Sequence, residues 1–168
     1  QDEERIGGNQ IQIEKFAKVY ALYENAKVNN HKLDFEDILV VLSGMLEEER
    51  SVRERIRDQY RYFTVDEYQD ISPLSQKLLN LWLGNREEIC VVGDPAQTIY
   101  SFTGATSTYL RAFAQRYPNA KIIELEKSYR STPQILSFAN KLLLNSDGNY
   151  GSQLFTDNQN GMNPNIFN

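Results

Sequence analysis

Two adjacent carboxylates, Asp66 and Glu67, are the side chains of this sequence best suited to chemistry. They follow residues 62–65, whose aromatic and β-branched side chains favour a buried β-strand. In nucleoside-triphosphate hydrolases, one carboxylate at the end of such a strand holds Mg²⁺, and a neighbouring one polarises the attacking water. The pair therefore indicates a phosphoryl-transfer site, and the alternative is a surface turn that carries two acids.

A second polar loop follows the apolar residues 89–92, which also favour a buried strand. Gly93 permits a sharp exit from that strand, and the amide of Gln97 can then reach a polar ligand. Tyr100 and Phe102 occupy alternate positions and share one face if the segment is extended. On such a face the two rings can stack on the bases of a single-stranded nucleic acid. The alternative is that both rings belong to the hydrophobic core.

A third candidate is Arg130, which lies between a predicted strand, residues 121–125, and a predicted helix that begins at Pro133. A guanidinium at this place can stabilise the charge that develops on a transferred phosphoryl group. The alternatives are a salt bridge to Glu126 and packing at the start of the helix.

The elements around these residues alternate between strands and helices, which predicts an α/β fold with a parallel sheet flanked by helices. The predicted strands are residues 62–65, 89–92 and 121–125, and the predicted helices are residues 73–83, 108–117 and 133–145. Ligands bind beyond the carboxyl ends of the strands in such sheets. We therefore expect Asp66, Glu67, Asp94 and Gln97 at one edge of the sheet.

The residues before this region predict a helical N-terminal segment. Apolar side chains recur every three or four positions over residues 10–25, as on one face of a helix. Asp34 is a typical N-cap for a second helix. Residues 47–58 mix both charge signs, with Glu49 and Arg53 four apart, and this pattern favours a solvated helix face.

Composition limits the class of protein. A length of 168 residues fits one domain, and the net charge of -5 argues against a basic protein that coats duplex DNA by charge alone. The single cysteine, Cys90, cannot form an internal disulfide, so a reducing cytoplasm is the expected compartment. No apolar run approaches the ~20 residues that span a bilayer, so no membrane partner is expected.

The order of three segments identifies a family resemblance. Residues 66–70, 93–105 and 129–131 resemble three consecutive motifs, II, III and IV, of the UvrD/Rep-type superfamily 1 DNA helicases. The resemblance covers roughly residues 33–145, and residues 153–158 with Gly161 resemble the family's lead-in to its second motor domain. It implies a partial RecA-like P-loop NTPase domain that uses ATP and Mg²⁺.

The resemblance implies roles for five residues at the nucleotide. Asp66 would coordinate Mg²⁺, and Glu67 would activate water. Gln97 would sense the γ-phosphate, and Arg130 would act as an arginine finger. Tyr129 would stack on the adenine.

The resemblance also implies contacts with DNA. Tyr100 and Phe102 would contact the bases of single-stranded DNA, and partly duplex DNA, the rest of the helicase chain and repair proteins are the expected partners. Two positions depart from the pattern: Thr103 stands where many members have arginine, and Ser128 where many have asparagine. The first departure puts one contact with DNA or nucleotide in doubt.

A P-loop needs Gly-Lys followed by Ser or Thr, and none of the nine glycines precedes a lysine. We therefore expect an internal fragment that hydrolyses no ATP alone. Residues 1–32 would end a helical insertion, residues 33–146 would form the C-terminal part of the first RecA-like domain, and residues 147–168 would lead into the second. The parent would be an ATP-dependent helicase in DNA repair, replication or recombination. The alternatives are a helicase–nuclease subunit and a non-catalytic adaptor derived from a motor domain.

Overall fold

The computed structural model describes residues 10–145 and 153–165 of the chain. The chain divides into two compact units, Gln1–Arg55 and Ile56–Asn168. The predicted helical insertion and the predicted lead-in to a second motor domain extend into residues 1–9, 146–152 and 166–168, which lie outside the described residues. The three predicted domains and the two boundaries between them stay predictions.

The first unit contains helices α1 (Gln10–Asn29) and α2 (Phe35–Glu48), and helix α3 (Arg50–Gln59) begins in it. Asp34 caps α2 as predicted, because its Oδ1 accepts a hydrogen bond from the Asp37 backbone N–H at 2.8 Å. Asp37 Oδ2 accepts the Asp34 N–H in return at 3.0 Å, which completes a capping box. The Lys27 ammonium lies 2.7 Å from Oδ2 of each aspartate and 2.9 Å from Glu24 Oε1. This lysine therefore pairs with all three clustered carboxylates and offsets part of their negative charge.

The charged segment 47–58 is not one helix. Glu49 is the C-cap of α2 with φ −97° and ψ 96°, so α3 begins only at Arg50. Arg53 donates from Nη1 to the carbonyls of Leu46 and Glu47 at 2.7 and 3.0 Å, and thus satisfies groups in the last turn of α2. The ion pair of α3 joins Arg50 to Glu54 at 2.6 Å and is exposed to solvent.

The second unit contains a parallel sheet of strands β1 (Phe63–Val65) and β2 (Ile89–Val91), joined through helix α4 (Pro73–Leu83). Ser72 caps α4 through its hydroxyl, and Gly84 ends it with φ 64°, so the helix has its predicted bounds. Phe63 stacks on Trp82 with ring centroids 6.0 Å apart, so one face of the sheet packs against α4. The described residues thus mix helices with a small parallel sheet, as an α/β fold requires.

The strands are less buried than predicted. Their flanking residues are half-buried, but the central residues Thr64 and Cys90 are exposed. Successive strand side chains point to opposite faces, and α4 packs on the face of Phe63, so the central pair points away from it. Only one face of the described sheet therefore contributes to the core.

A polar network in the second unit extends from buried Tyr68 to Arg116 at the surface. The Tyr68 hydroxyl donates to Gln76 Oε1 at 2.6 Å, and its ring meets Phe113 edge-on at 6.0 Å. Gln76 Nε2 and Arg116 Nη2 both donate to Asn80 Oδ1 at 2.8 Å. Burial raises the pKa of Tyr68, so its hydroxyl stays protonated and continues to donate. This network satisfies the hydroxyl of the buried Tyr68 side chain.

Two sequence-based elements differ in the structure. Residues 121–125 are not a strand, and Ile122, Ile123 and Leu125 are 66%, 67% and 80% exposed. A strand exists only where a neighbour pairs with its backbone, and among the described residues pairing begins later, at an isolated bridge between Lys127 and Phe155. The predicted third strand is therefore wrong.

The predicted helix 108–117 is two short helices, α5 (Thr108–Arg111) and α6 (Phe113–Arg116). Ala112 separates them because its φ of −86° and ψ of 1° lie outside the helical region. Helix α7 (Pro133–Leu144) forms close to its predicted bounds. No helix in the described part of the chain combines the length and apolar character needed to cross a membrane.

Candidate functional site

The parallel register brings two predicted loops to one edge of the sheet. Val65 pairs with Val91, and the Val92 N–H donates to the Val65 carbonyl at 2.8 Å. The Tyr68 N–H then donates to the Val92 carbonyl at 2.9 Å. These bonds hold the loop after β1 beside the loop after β2, which is where the sequence predicts a ligand site.

Glu67 adopts a strained backbone conformation at this edge. Its φ of 51° and ψ of 40° are left-handed, a region that residues with a side chain seldom adopt. Asp66 Oδ1 accepts the Glu67 N–H at 2.9 Å, and buried Tyr68 begins the next turn, Tyr68–Asp70. Such strain persists only where neighbouring contacts impose it, and it is concentrated at functional sites.

The donor set at this edge fits a magnesium ion carried by a nucleotide. Asp66 and Glu67 are exposed, so both carboxylates are open to a ligand from solvent. Carboxylate oxygens are the ligands that Mg²⁺ prefers, and one or two of them suffice when phosphate oxygens complete its shell.

Sequence reasoning missed Gln69, which joins the two loops. Its side chain is only 1% exposed and lies between Glu67 and Asp94. Gln69 Nε2 donates to Glu67 Oε2 at 2.5 Å, and Gln69 Oε1 accepts the Asp94 N–H at 3.0 Å. The sequence holds one indirect signal, Gly93, because the contact requires the two backbones to approach closely.

Gln97 belongs to the same connected group. Asp94 Oδ1 accepts the Ala96 N–H at 2.9 Å and caps the short turn Pro95–Gln97. Asp94 Oδ2 accepts a hydrogen bond from Gln97 Nε2 at 3.0 Å. Because the Gln97 side chain is exposed, a ligand at the edge can reach its amide. Hydrogen bonds thus run without interruption from Glu67 to Gln97.

Tyr100 and Phe102 lie together on the surface but not in an extended segment. Ser101–Thr103 forms a 3-10 turn, so alternation along a strand does not bring the rings together. Their centroids are nevertheless 6.1 Å apart, and the side chains are 49% and 82% exposed. The core alternative for these two rings is therefore wrong. Their exposed faces are available for stacking on planar ligands.

The loop of Tyr129 and Arg130 precedes α7 and is also exposed, with Tyr129 at 79%. Ser128 Oγ accepts the Ser131 N–H at 3.2 Å, and Lys127 Nζ lies 5.4 Å from the centroid of the Tyr129 ring. Within the described ranges, no hydrogen bond or ion pair joins Arg130 to Glu126 or joins this loop to the edge at Glu67. The structure therefore does not unite all the sequence-predicted residues in one contact network.

A later segment, residues 153–161, is held against this loop. Phe155 donates its N–H to the Glu126 carbonyl at 3.0 Å and accepts the Ser128 N–H at 2.7 Å. Asn158 Nδ2 lies 3.2 Å from the Tyr129 carbonyl and 3.1 Å from the Ser131 carbonyl, and it donates to both. The Tyr129 loop is thus held by a segment more than 20 residues further along the chain.

Comparison with known proteins supports the family resemblance. The pattern that defines the UvrD/REP helicase N-terminal domain matches residues 2–118. ATP-dependent DNA helicase UvrD2 of Mycobacterium tuberculosis (strain ATCC 25618 / H37Rv) is 45% identical over 144 residues, which cover 83% of this chain and 21% of that protein. ATP-dependent DNA helicase Rep of Escherichia coli (strain K12) is 37% identical over 142 residues, 84% of this chain and 21% of that protein.

A third relative gives the same result. ATP-dependent DNA helicase PcrA of Bacillus subtilis (strain 168) is 35% identical over 144 residues, which cover 86% of this chain and 20% of that protein. The chain therefore spans about a fifth of the length of these curated relatives.

Proposed function

Because this chain belongs to the UvrD/REP helicase family, we propose that it is part of an ATP-dependent DNA helicase. The whole protein would couple ATP hydrolysis to movement along single-stranded DNA and to unwinding of duplex DNA. The observation that carries the proposal is the edge of the parallel sheet, where hydrogen bonds connect Glu67 through Gln69 and Asp94 to Gln97. The names of the relatives, ATP-dependent DNA helicases, support it.

In this proposal the chain is an internal segment that carries motifs II, III and IV of the family. Residues 33–146 form the C-terminal part of the first RecA-like domain. Residues 1–32 end a helical insertion, and residues 147–168 begin the path to a second motor domain. The P-loop that binds the phosphates would lie elsewhere in the protein, so this segment alone would not hydrolyse ATP.

Asp66 and Glu67 have different chemical roles at the edge of the sheet in this proposal. Mg²⁺ bound with ATP neutralises charge on the phosphates, and Asp66 is the residue that would hold it. Glu67 would accept a hydrogen bond, and then a proton, from the attacking water at Oε1, because its Oε2 already accepts a hydrogen bond from Gln69. Gln97, Arg130 and Tyr129 would contact the γ-phosphate, the transferred phosphoryl group and the adenine, respectively.

The two exposed rings supply the DNA contact in this proposal. Tyr100 and Phe102 would stack on bases of single-stranded DNA, and their exposure supports that role. Gln97 lies only three residues before Tyr100, so a shift of the loop at the phosphate would move the rings as well. The proposed coupling of ATP hydrolysis to DNA movement thus depends on one short segment.

The proposed partners follow from this activity. They are single-stranded and partly duplex DNA, the rest of the helicase chain and proteins of DNA repair. The proposed compartment is the cytoplasm, which suits a chain whose one cysteine, Cys90, is free and exposed.

The decisive experiment measures ATP hydrolysis by the longest native protein that contains this sequence, with and without single-stranded DNA. We expect strong stimulation by DNA in the wild type and its loss in Glu67→Gln. Glu87→Gln is the matched control, because Glu87 is an exposed glutamate outside the edge. No hydrolysis by the wild type, with DNA binding retained, would favour a non-catalytic adaptor.

A further inference from the structure

The side-chain amide of Gln69 is buried, and both its nitrogen and its oxygen form hydrogen bonds at the edge of the sheet. At 1% exposure it is among the most deeply buried polar side chains described. Its Nε2 donates to Glu67 Oε2 at 2.5 Å and lies 3.4 Å from Asp70 Oδ2. Its Oε1 accepts the Asp94 N–H at 3.0 Å. One side chain therefore spans the gap between the loop after β1 and the loop after β2.

The surroundings leave Gln69 little freedom to move. A Cβ atom added at Gly93 would lie 2.6 Å from Gln69 Oε1 and 3.2 Å from its backbone nitrogen, both closer than ordinary contact. The turn that carries Gln69 is closed by a bond from the Asp70 N–H to the Glu67 carbonyl at 2.9 Å. Gly93 thus lies directly against the Gln69 side chain, and a backbone hydrogen bond closes the turn that carries Gln69.

A side-chain amide satisfies both neighbours at this place. Glu67 offers a carboxylate that accepts hydrogen bonds, and Asp94 offers a backbone N–H that donates one. A leucine would leave both groups without this partner. An ionised glutamate would keep the acceptor but lose the donor and would place a second negative charge beside Glu67. The chemistry of position 69 therefore matches a link between a carboxylate and a peptide N–H.

We propose that Gln69 is a positioning residue that holds the Glu67 carboxylate in register with the loop of Gln97. It acts at one end on the carboxylate and at the other on Asp94, whose side chain in turn binds Gln97. A shift of either loop is thereby transmitted to the other through the buried side chain of Gln69. This role rests on the proposed function, because it presumes that Glu67 acts on the attacking water.

The test compares Gln69→Leu and Gln69→Glu in the longest native protein that contains this sequence. We expect kcat for DNA-stimulated ATP hydrolysis to fall by about 10- to 100-fold in both, while KM for ATP changes by less than about threefold. A second measurement distinguishes the two variants: the rate of hydrogen exchange at the backbone amide of Asp94, in the absence of nucleotide. Exchange should accelerate in Gln69→Leu, and it should stay close to the wild-type rate in Gln69→Glu, which keeps the acceptor.

Gln76→Leu is the control for a general loss of stability. Gln76 is also a buried glutamine, 3% exposed, but it binds the Tyr68 hydroxyl and Asn80 in the core. We expect this variant to melt at a lower temperature yet keep kcat within about threefold of the wild type at a temperature where it is folded.

The outcomes separate the two proposals. A wild type that hydrolyses ATP, with kcat retained in Gln69→Leu, would overturn the role of Gln69 and leave the proposed function intact. Equal losses of kcat in Gln76→Leu and Gln69→Leu would also overturn it, since the effect would then reflect stability alone. A wild type without DNA-stimulated hydrolysis would overturn the proposed function and this role with it.

Discussion

Asn140 and Leu154 are joined by two hydrogen bonds between one side-chain amide and one backbone unit. Asn140 Nδ2 donates to the Leu154 carbonyl at 2.8 Å, and Asn140 Oδ1 accepts the Leu154 N–H at 3.1 Å. The amide of a helix residue thus pairs with an extended segment as a neighbouring strand would. It attaches residues 153–161 to α7, next to the loop that carries Tyr129.

Replacing Asn140 by leucine should release this segment from α7. The change removes both hydrogen bonds while keeping a side chain of similar size, so the Leu154 N–H becomes free to exchange. We expect faster hydrogen–deuterium exchange in a peptide covering residues 153–158, by roughly five- to tenfold for a lost contribution of about 1 kcal/mol. Ser137→Ala, on the same helix, is the control and should leave that peptide unchanged. Unaltered exchange in Asn140→Leu would show that the Phe155 backbone bonds suffice to hold the segment.

The left-handed backbone of Glu67 predicts an unusual order of stabilities. Glu67→Gly and Glu67→Ala both delete the carboxylate, but only the alanine keeps the cost of a Cβ atom at φ 51°. We expect the glycine variant to be the more stable by about 1 kcal/mol in urea unfolding. At Glu87, whose φ is not positive, the alanine variant should instead be more stable than the glycine variant. Equal stabilities at position 67 would mean that the backbone there is not strained in solution.

Local chemistry explains the elements that the sequence predicted well. Asp34 and Ser72 are N-caps because their side chains reach backbone N–H groups three residues ahead, an interaction contained within one turn. The strands that end at Val65 and Val91 were predictable because apolar residues lead directly into polar loops. Their parallel pairing brings the two loops together without any further information.

Long-range contacts explain what the sequence did not predict. Residues 121–125 carry a strand-like pattern, but a strand depends on a neighbour that the pattern cannot specify. Gln69 and Gly93 gain their importance only when two loops 25 residues apart meet across the sheet edge. The two rings of Tyr100 and Phe102 meet through a 3-10 turn rather than an extended chain, so the predicted proximity had the wrong cause.

The contact between Lys27 and Asp34 predicts how the N-cap of α2 responds to acid. The hydrogen bond from Lys27, and after it those from the Asp37 N–H and Tyr23, hold the pKa of Asp34 well below its ordinary value of 3.8. A carboxyl whose pKa is depressed in the folded state stabilises that state above its unfolded pKa. This contribution is lost as pH falls below 3.8 toward the folded pKa.

The pKa of Lys27 is shifted in the opposite direction, so its contribution to stability depends on pH in the opposite sense. Burial alone would lower the pKa of Lys27, but hydrogen bonds to Asp34, Asp37 and Glu24 outweigh it and raise the pKa above its ordinary value of 10.5. Its contribution is therefore complete below pH 10.5 and is lost as pH rises through the raised value. The cluster should be at full strength between these two limits.

The measurement is the protection factor of the Asp37 amide, corrected for the intrinsic effect of pH on exchange. In the wild type we expect protection to be lost only well below pH 3.8, whereas Lys27→Met should lose it nearer that ordinary value. Lys18→Met, an exposed change on the same helix, should follow the wild type. Identical acid profiles for Lys27→Met and the wild type would mean that Lys27 does not lower the pKa of Asp34.

Phe102 offers the clearest separation of binding from stability. Because its ring is 82% exposed, Phe102→Ala should change the free energy of unfolding by less than about 0.5 kcal/mol. If the ring stacks on a base, the same change should weaken binding of single-stranded DNA by about 1 to 3 kcal/mol, or roughly 5- to 150-fold. A fluorescently labelled oligonucleotide titrated with the longest native protein would measure this loss.

Phe35→Ala provides a matched control for that measurement. Phe35 is 84% exposed, so the two variants remove equally exposed phenylalanine rings, but Phe35 belongs to the first unit and to no proposed DNA contact. We expect Phe35→Ala to bind the oligonucleotide as the wild type does. Equal losses in both variants would indicate non-specific attraction of DNA to exposed rings, and no loss in Phe102→Ala would remove this ring from the DNA-binding surface.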